Sequence, residues 1–219
     1  MALVYDPTQD TSQDGTVKTI FDYFNARAAA HNLLVDVGAY GKDLSNTHGL
    51  LARGWKGLLI EANPERIDII KREFAGLDFK VLNIGIGDAE ETLPLYLHKG
   101  HGKDAQDKDR DVGGTSFFKG WFGHWETGRT ININIFPLCT VLDSENYPKD
   151  FDLLSVDTEG FDKRIIEHLL SKSAYRPRLI VAEFFSFRDG FDLFTHYGYS
   201  LIKDSGIGGW GTIIFSKDP

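Results

Sequence analysis

The 219 residues, 42% of them hydrophobic, are enough for one domain with a sizeable core, and the formal net charge of −8 disfavours a broad nucleic-acid or anionic-membrane surface while leaving room for a local basic groove. The single cysteine, Cys139, excludes an intrachain disulfide and a cysteine-based zinc site. It suits a reducing compartment, so a cytoplasmic location is expected.

Residues 1–15 carry neither a basic flank nor a long apolar run and read as a polar leader; no later stretch is apolar enough to span a bilayer. From Thr16 to His31, Ile20, Phe21, Phe24 and Ala28 recur at helical spacing, predicting an amphipathic helix packed against a sheet. The rest of the chain is organised around LLVDVGAYGKDLSN, residues 33–46. Leu33, Leu34, Val35 and Val37 have no polar face, as in a parallel strand buried on both sides, and Gly38 and Gly41 break the run into a turn. Asp43, Ser45 and Asn46 are N-cap candidates for a helix reaching about Arg53, with Gly54 as its stop. Strand, glycine turn and helix start form a nucleotide-binding shape, although D-x-G-x-x-G lacks the three-glycine fingerprint and also fits a plain tight connection.

The second unit repeats the first. Its strand, Gly57 to Ile60, ends in Glu61, where a doubly wound fold binds ribose hydroxyls; a solvated strand-end carboxylate is the alternative. Asn63 caps and Pro64 starts the next helix, with Ile67, Ile70 and Phe74 inward and Gly76 at its end. Residues 79–88, FKVLNIGIGD, read as a third strand with Gly85 and Gly87 at its end. Asn83, Ile84 and Asp88 there are candidate adenine contacts, and Asp88 fits a turn cap equally well.

An extended segment at 93–98 leads into a charged, glycine-bearing stretch at 98–114, expected to be a mobile surface excursion. His98 and His101 lack a clear third metal ligand. Residues 115–129 crowd Phe117, Phe118, Trp121, Phe122 and Trp125 together, which suits a lid over a substrate with sugar C–H faces or a satellite core. His124 among them is a candidate base or a plain hydrogen-bonding residue. Residues 130–143 alternate polar and apolar, as in an edge or half-exposed strand.

Residues 151–170 return to buried strand, terminal acid, turn and amphipathic helix. Asp157 and Glu159 fall at the carboxyl end of that strand, where ligands of open α/β sheets bind. A further buried strand at 178–185 carries Glu183 near its end. Residues 198–217 read as two strands joined by a glycine-rich loop, whose Trp210 borders the pocket if the penultimate strand runs parallel to its neighbours. The alternation throughout predicts an α/β domain.

Several of these stretches, in order, are shared with one family. By VDVGA with a following SNT, GWKGLLIEANP, NIGIGD, TVLD, LLSVDTEGFD and IVAEF, the sequence resembles the FkbM family of S-adenosylmethionine-dependent methyltransferases from about residue 33 to the C-terminus. The resemblance implies a single Rossmann-like class I methyltransferase domain over 16–219. Its seven-stranded, mostly parallel sheet would have a reversed last strand and helices on both faces, with an insertion or lid at about 98–129. It implies a cofactor turn of Asp36, Gly38 and Ala39, joined by Tyr40, Gly41 and Ser45, and a ribose acid Glu61 with Ala62 beside it. Asn83, Ile84 and Asp88 would take the adenine side, and Asp157 and Glu159 would face the methyl group and acceptor. Family members usually carry a longer GANxG turn, whereas Tyr40 and Gly41 follow Ala39 here, so the resemblance leaves the exact contacts of Tyr40, Gly41 and Lys42 open.

The implied chemistry is O-methylation of a sugar, glycan or hydroxylated metabolite, as in polysaccharide or natural-product biosynthesis, with S-adenosylhomocysteine (SAH) as product. Asp157 or Glu159 is the first choice of base and His124 the second. A divalent metal on the carboxylate pair is a less favoured alternative. The expected partner is a small-molecule or saccharide acceptor, with no nucleic acid and no membrane span. The competing readings are a nicotinamide-dependent oxidoreductase or sugar-nucleotide enzyme, and a non-catalytic cofactor-binding module.

Overall fold

The computed structural model describes residues 3–8, 10, 12, 15–99, 112–121, 123, 126–183, 187–205 and 211–218. Parallel strands β1 (Leu33–Val37), β2 (Lys56–Ile60), β3 (Asp78–Leu82), β8 (Leu153–Val156) and β9 (Leu179–Glu183) form most of a seven-stranded sheet. Its order is β10-β11-β9-β8-β1-β2-β3, and β11 (Thr212–Ser216) runs antiparallel between β9 and the edge strand β10 (Ser200–Asp204). The reversal follows from connectivity, because β10 passes directly into β11 and neighbours joined by a short loop pair antiparallel.

Alternate residues of each central strand feed two cores. Val35, Val37, Leu58, Ile60, Leu154 and Val156 face α4 (Leu138–Ser144), α5 (Asp162–Lys172) and α6 (Phe187–His196). Leu34, Leu59, Leu153 and Val181 face α1 (Thr16–Ala26), α2 (His48–Leu51) and α3 (Pro64–Glu73). Burial on both faces explains the unbroken apolar runs of the sequence. No helix among the described residues is long and apolar enough to cross a membrane.

The structure departs from the sequence expectations in four places. The helix after the glycine turn is a single turn, His48–Leu51, because residues 43–46 are spent on the turn itself. The first helix stops at Ala26, five residues short of His31. The third strand ends at Leu82, and Gly85–Gly87 belongs to a separate short strand, β4, in a second sheet of order β4-β7-β5-β6. Strand β7 (Glu126–Pro137) is half-exposed, one of the two forms expected, and lies between β4 and β5 (Glu91–Lys99), but Leu138–Ser144, expected to continue it, is helical. Leu138, Val141 and Leu142 bury at helical spacing, and the alternation of the preceding strand ends at Pro137. Strand β6 (Val112–Ser116) completes this sheet, while most of the charged stretch at 98–114, together with Phe122, His124, Trp125 and Trp210, lies outside the described residues.

Candidate functional site

A cavity of about 580 Å³ opens at the carboxyl ends of β1, β2 and β8, with the second sheet above it. That size falls within the range of roughly 300–1,000 Å³ usual for cofactor and small-ligand pockets.

The β1 turn forms one wall. The N–H groups of Gly38 and Ala39 both donate to the Ile60 carbonyl, at 2.9 and 3.1 Å, which ties the turn to the end of β2. Gly38 has φ 88°, and a Cβ there would lie 1.7 Å from the Asp157 carbonyl oxygen, so backbone meets backbone where β1 and β8 end. The short Tyr40-Gly41 connection is clamped from α3. Arg66, 4% exposed, donates through Nε to the Tyr40 carbonyl at 2.7 Å, and its guanidinium stands 3.5 Å from the centre of the Tyr40 ring. Glu73 accepts the Lys42 N–H at 2.7 Å, and a Cβ on Gly41 would lie 2.8 Å from the same carboxylate.

Two buried acids stand behind this wall. Asp36 accepts the Thr47 hydroxyl at 2.6 Å; burial pushes its carboxyl up to about 6, opposed by hydrogen bonds from Thr47 and Ser155. Ser45 accepts the N–H groups of Thr47 and His48, at 3.2 and 3.0 Å, just ahead of α2, whose N-cap is Thr47 instead of the expected Asp43, Ser45 or Asn46. Glu61, 5% exposed, is pushed up to about 7 by burial, against the pull of the Asn63 N–H, which it accepts at 2.6 Å, and of the nearby Arg66 charge. Asn63 in turn caps α3 by accepting the Glu65 N–H at 3.0 Å.

Beside Glu61, Asn83 donates its side-chain amide to the carbonyls of Glu61 and Ala62, at 2.9 and 3.0 Å, so it braces the strand end. Ala62 and Ile84 line the cavity. Asp88 does not: it pairs with Arg164 of α5, whose hydrogen bond holds its carboxyl below the usual range. This corrects its assignment as a cofactor contact. The chain leaves β3 at Leu82 to enter β4, which carries Asp88 away from the pocket.

The opposite wall is acidic. Strands β8 and β9 pair in register, Val156 opposite Ala182, so Asp157 and Glu183 follow side by side. Asp157, Glu159 and Glu183 place carboxylate oxygens within 4.8 Å of one another, an arrangement that offers three oxygen ligands to a hard cation. Asp157, only half-buried on the cavity wall, is held well above the ordinary carboxylate value by desolvation within the pocket, with Glu183 and Asp162 adding to the shift. Burial likewise raises Glu183, and Asp162 behind them is pushed up to about 7. Glu159 is left-handed at φ 53°, a backbone state that costs a non-glycine residue about 1–3 kcal/mol and persists where neighbours over-determine it. Overhead, Leu95, His98, Thr115 and Phe117 of the second sheet and its turn close the cavity, and His98 is 3% exposed.

The methyltransferase FkbM domain profile matches residues 36–201. This chain belongs to the FkbM methyltransferase family. Methyl transfer is the general activity that the family's description gives, and it favours that reading over the nicotinamide one. Among solved structures, a methyltransferase FkbM from Methylobacillus flagellatus is 15% identical with a TM-score of 0.52, over 89% of this chain and 46% of that one. The FkbM domain described here therefore spans less than half of that relative. A putative O-methyltransferase from Klebsiella pneumoniae is 13% identical, TM-score 0.50, over 96% of this chain and 82% of that one. An O-methyltransferase from Bacillus cereus in complex with SAH is 14% identical, TM-score 0.50, over 95% and 82%. At these identities the likeness establishes the class I methyltransferase fold. No curated protein matches the chain.

The residues of this FkbM domain fit a bound S-adenosylmethionine. Glu61 presents a buried acid at the end of β2 for vicinal hydroxyls, Ile60 and Ile84 supply apolar wall, and Asp36 and Asp157 suit a cation. Sequence reasoning missed Arg66 and Ser155 as cavity residues, and Thr47 as the buried partner that holds Asp36. Thr47 was legible only as the last letter of SNT, Arg66 and Ser155 gave no local signal, and His98, read in the sequence only as a histidine short of a third metal ligand, is a cavity residue.

Proposed function

We propose that this FkbM domain transfers a methyl group to a hydroxyl of a neutral saccharide or hydroxylated small metabolite. One observation carries the reading: a single cavity runs from Glu61 and the Gly38 turn to Asp157 and Glu159, beneath apolar and aromatic residues of the second sheet. Bound S-adenosylmethionine supplies a methyl group already activated on a sulfonium.

The protein's part is then alignment and proton removal. Glu61 and the β1 turn fix one end of the cavity, and Leu95 and Phe117 offer flat apolar surface to the C–H face of an acceptor while keeping water out. Asp157, raised within the pocket and by Glu183, is in its ionised form a stronger base than a surface carboxylate, and the ionised oxygen takes the acceptor hydroxyl's proton. Such a base is worth typically about 10²–10⁴-fold in rate.

The test is SAH release from S-adenosylmethionine across a panel of neutral methyl glycosides and polyols, in wild type and Asp157→Asn. Methylation that falls at least about 100-fold in the variant, with SAH affinity retained, is expected. Activity that vanishes with EDTA and returns with Mg²⁺ would reassign the carboxylates as a metal site, and SAH binding without methylation of any acceptor would favour a binding module.

A further inference from the structure

Glu159 sits on the loop after β8, yet its conformation is set from the other sheet. Ser116, at the end of β6 and 1% exposed, donates its hydroxyl to the Glu159 carbonyl at 2.8 Å and accepts the Phe118 N–H at 3.1 Å. Five residues on, the indole Nε1–H of Trp121 donates to Oε2 of the Glu159 carboxylate at 3.2 Å. Between these two grips the rings press on the next residue. A Cβ on Gly160, at φ 118°, would come within 2.9 Å of Phe118 and 3.1 Å of Trp121. Phe118 also packs on Phe161, with ring centres 5.2 Å apart, and the Trp121 backbone N–H donates back to the Phe118 carbonyl at 3.3 Å.

The left-handed backbone of Glu159 therefore has an identifiable cause: carbonyl, carboxylate and following peptide are each held by the turn at 116–121. We infer that Trp121 is a positioning residue, whose indole N–H aims the Glu159 carboxylate into the cavity and so makes assembly of the acidic wall depend on the seating of the second sheet's turn.

The value of that aim to turnover rests on the methyl-transfer reading; the contact does not. A phenylalanine at 121 keeps a flat ring and removes the donor, which separates packing from positioning. In the proton–nitrogen correlation spectrum the chain's four tryptophans give four indole signals, and Trp121→Phe identifies its own by its loss. Glu159→Gln is expected to shift that signal while leaving the other indoles in place. An unmoved Trp121 signal would overturn the inference, whether or not any acceptor is ever found.

With a methyl glycoside that the panel shows to be methylated, Trp121→Phe is expected to lower kcat about tenfold with SAH affinity unchanged, as orientation losses do. In the Glu159→Gln background it is expected to cost nothing more, since residues acting through one group are non-additive. An equal further loss in that background would make Trp121 a packing residue only and overturn the inference. Failure of SAH to bind would count against the methyl-transfer reading and leave the spectroscopic result to decide this one.

Discussion

Gly38 and Glu61 divide the cofactor end of the cavity between shape and charge. A Cβ at Gly38 has no room, with the Asp157 carbonyl 1.7 Å away and a positive φ besides, so Gly38→Ala is expected to destabilise the fold by about 3 kcal/mol or more in chemical denaturation. Wild-type stability in that variant would mean that β1 and β8 do not meet there. Glu61→Gln keeps the shape and removes the charge that ribose hydroxyls would donate to. SAH affinity is expected to fall about 10- to 100-fold without loss of folding, and unchanged affinity would sink the ribose role. Both residues were legible in the sequence because their meaning is local: a glycine after a buried run, and an acid at a strand's end. Thr47 was not, because what matters is its hydroxyl meeting Asp36 eleven positions earlier, which only the fold brings about.

At the scale of elements, the short β1 turn departs from the family pattern and is compensated from α3. Arg66 binds the Tyr40 carbonyl and stacks on its ring, while Glu73 takes the Lys42 N–H. Arg66→Ala is expected to cost about 1–3 kcal/mol of stability and to weaken SAH binding, since both a charge-assisted hydrogen bond and a cation–π contact go. A variant indistinguishable in both measurements would show that the turn holds itself. The helix carrying Arg66 was legible from its Asn63-Pro64 start, but the direction of the arginine was not.

The second sheet was hidden for a related reason. Asn83 and Ile84 continue the strand-like pattern of residues 79–82, so the passage from β3 to β4 leaves no break in the sequence. Pairing of β4 with β7 joins residues some fifty positions apart, as Gly85 meets Ile135. Gly85 and Gly87, read as a strand end, are instead places where a Cβ would come within 2.3 and 2.7 Å of Ile135.

Taken as a whole, the molecule stores unusual acidity around one cavity. Asp36 is pushed up to about 6, Glu61 and Asp162 to about 7, and Asp157 well above its ordinary value, each chiefly by desolvation. A raised carboxyl makes the folded state hold protons that the unfolded chain releases. Its stabilising effect is therefore complete below the unfolded value near 4 and is lost as pH rises through the folded value. The ligand-free protein is thus expected to melt at a higher temperature at about pH 5 than at about pH 8. A melting temperature that rises across that window would mean the acids are solvated and the cavity wall is built differently. The doubly wound plan was legible at this scale from the repeated strand, acid and helix. The crowding of Glu183 against Asp157 and Glu159 was not, because it depends on β8 and β9 lying side by side in register.

The cofactor reading of the cavity is tested most directly by calorimetric titration of the chain with SAH, with NAD as the control. Saturable binding of SAH at one site, abolished or much weakened in Glu61→Gln, with no heat from NAD, is the expected result. Silence with SAH and saturable binding of NAD would contradict the assignment of Glu61, the Gly38 turn and the acidic wall to methyl transfer.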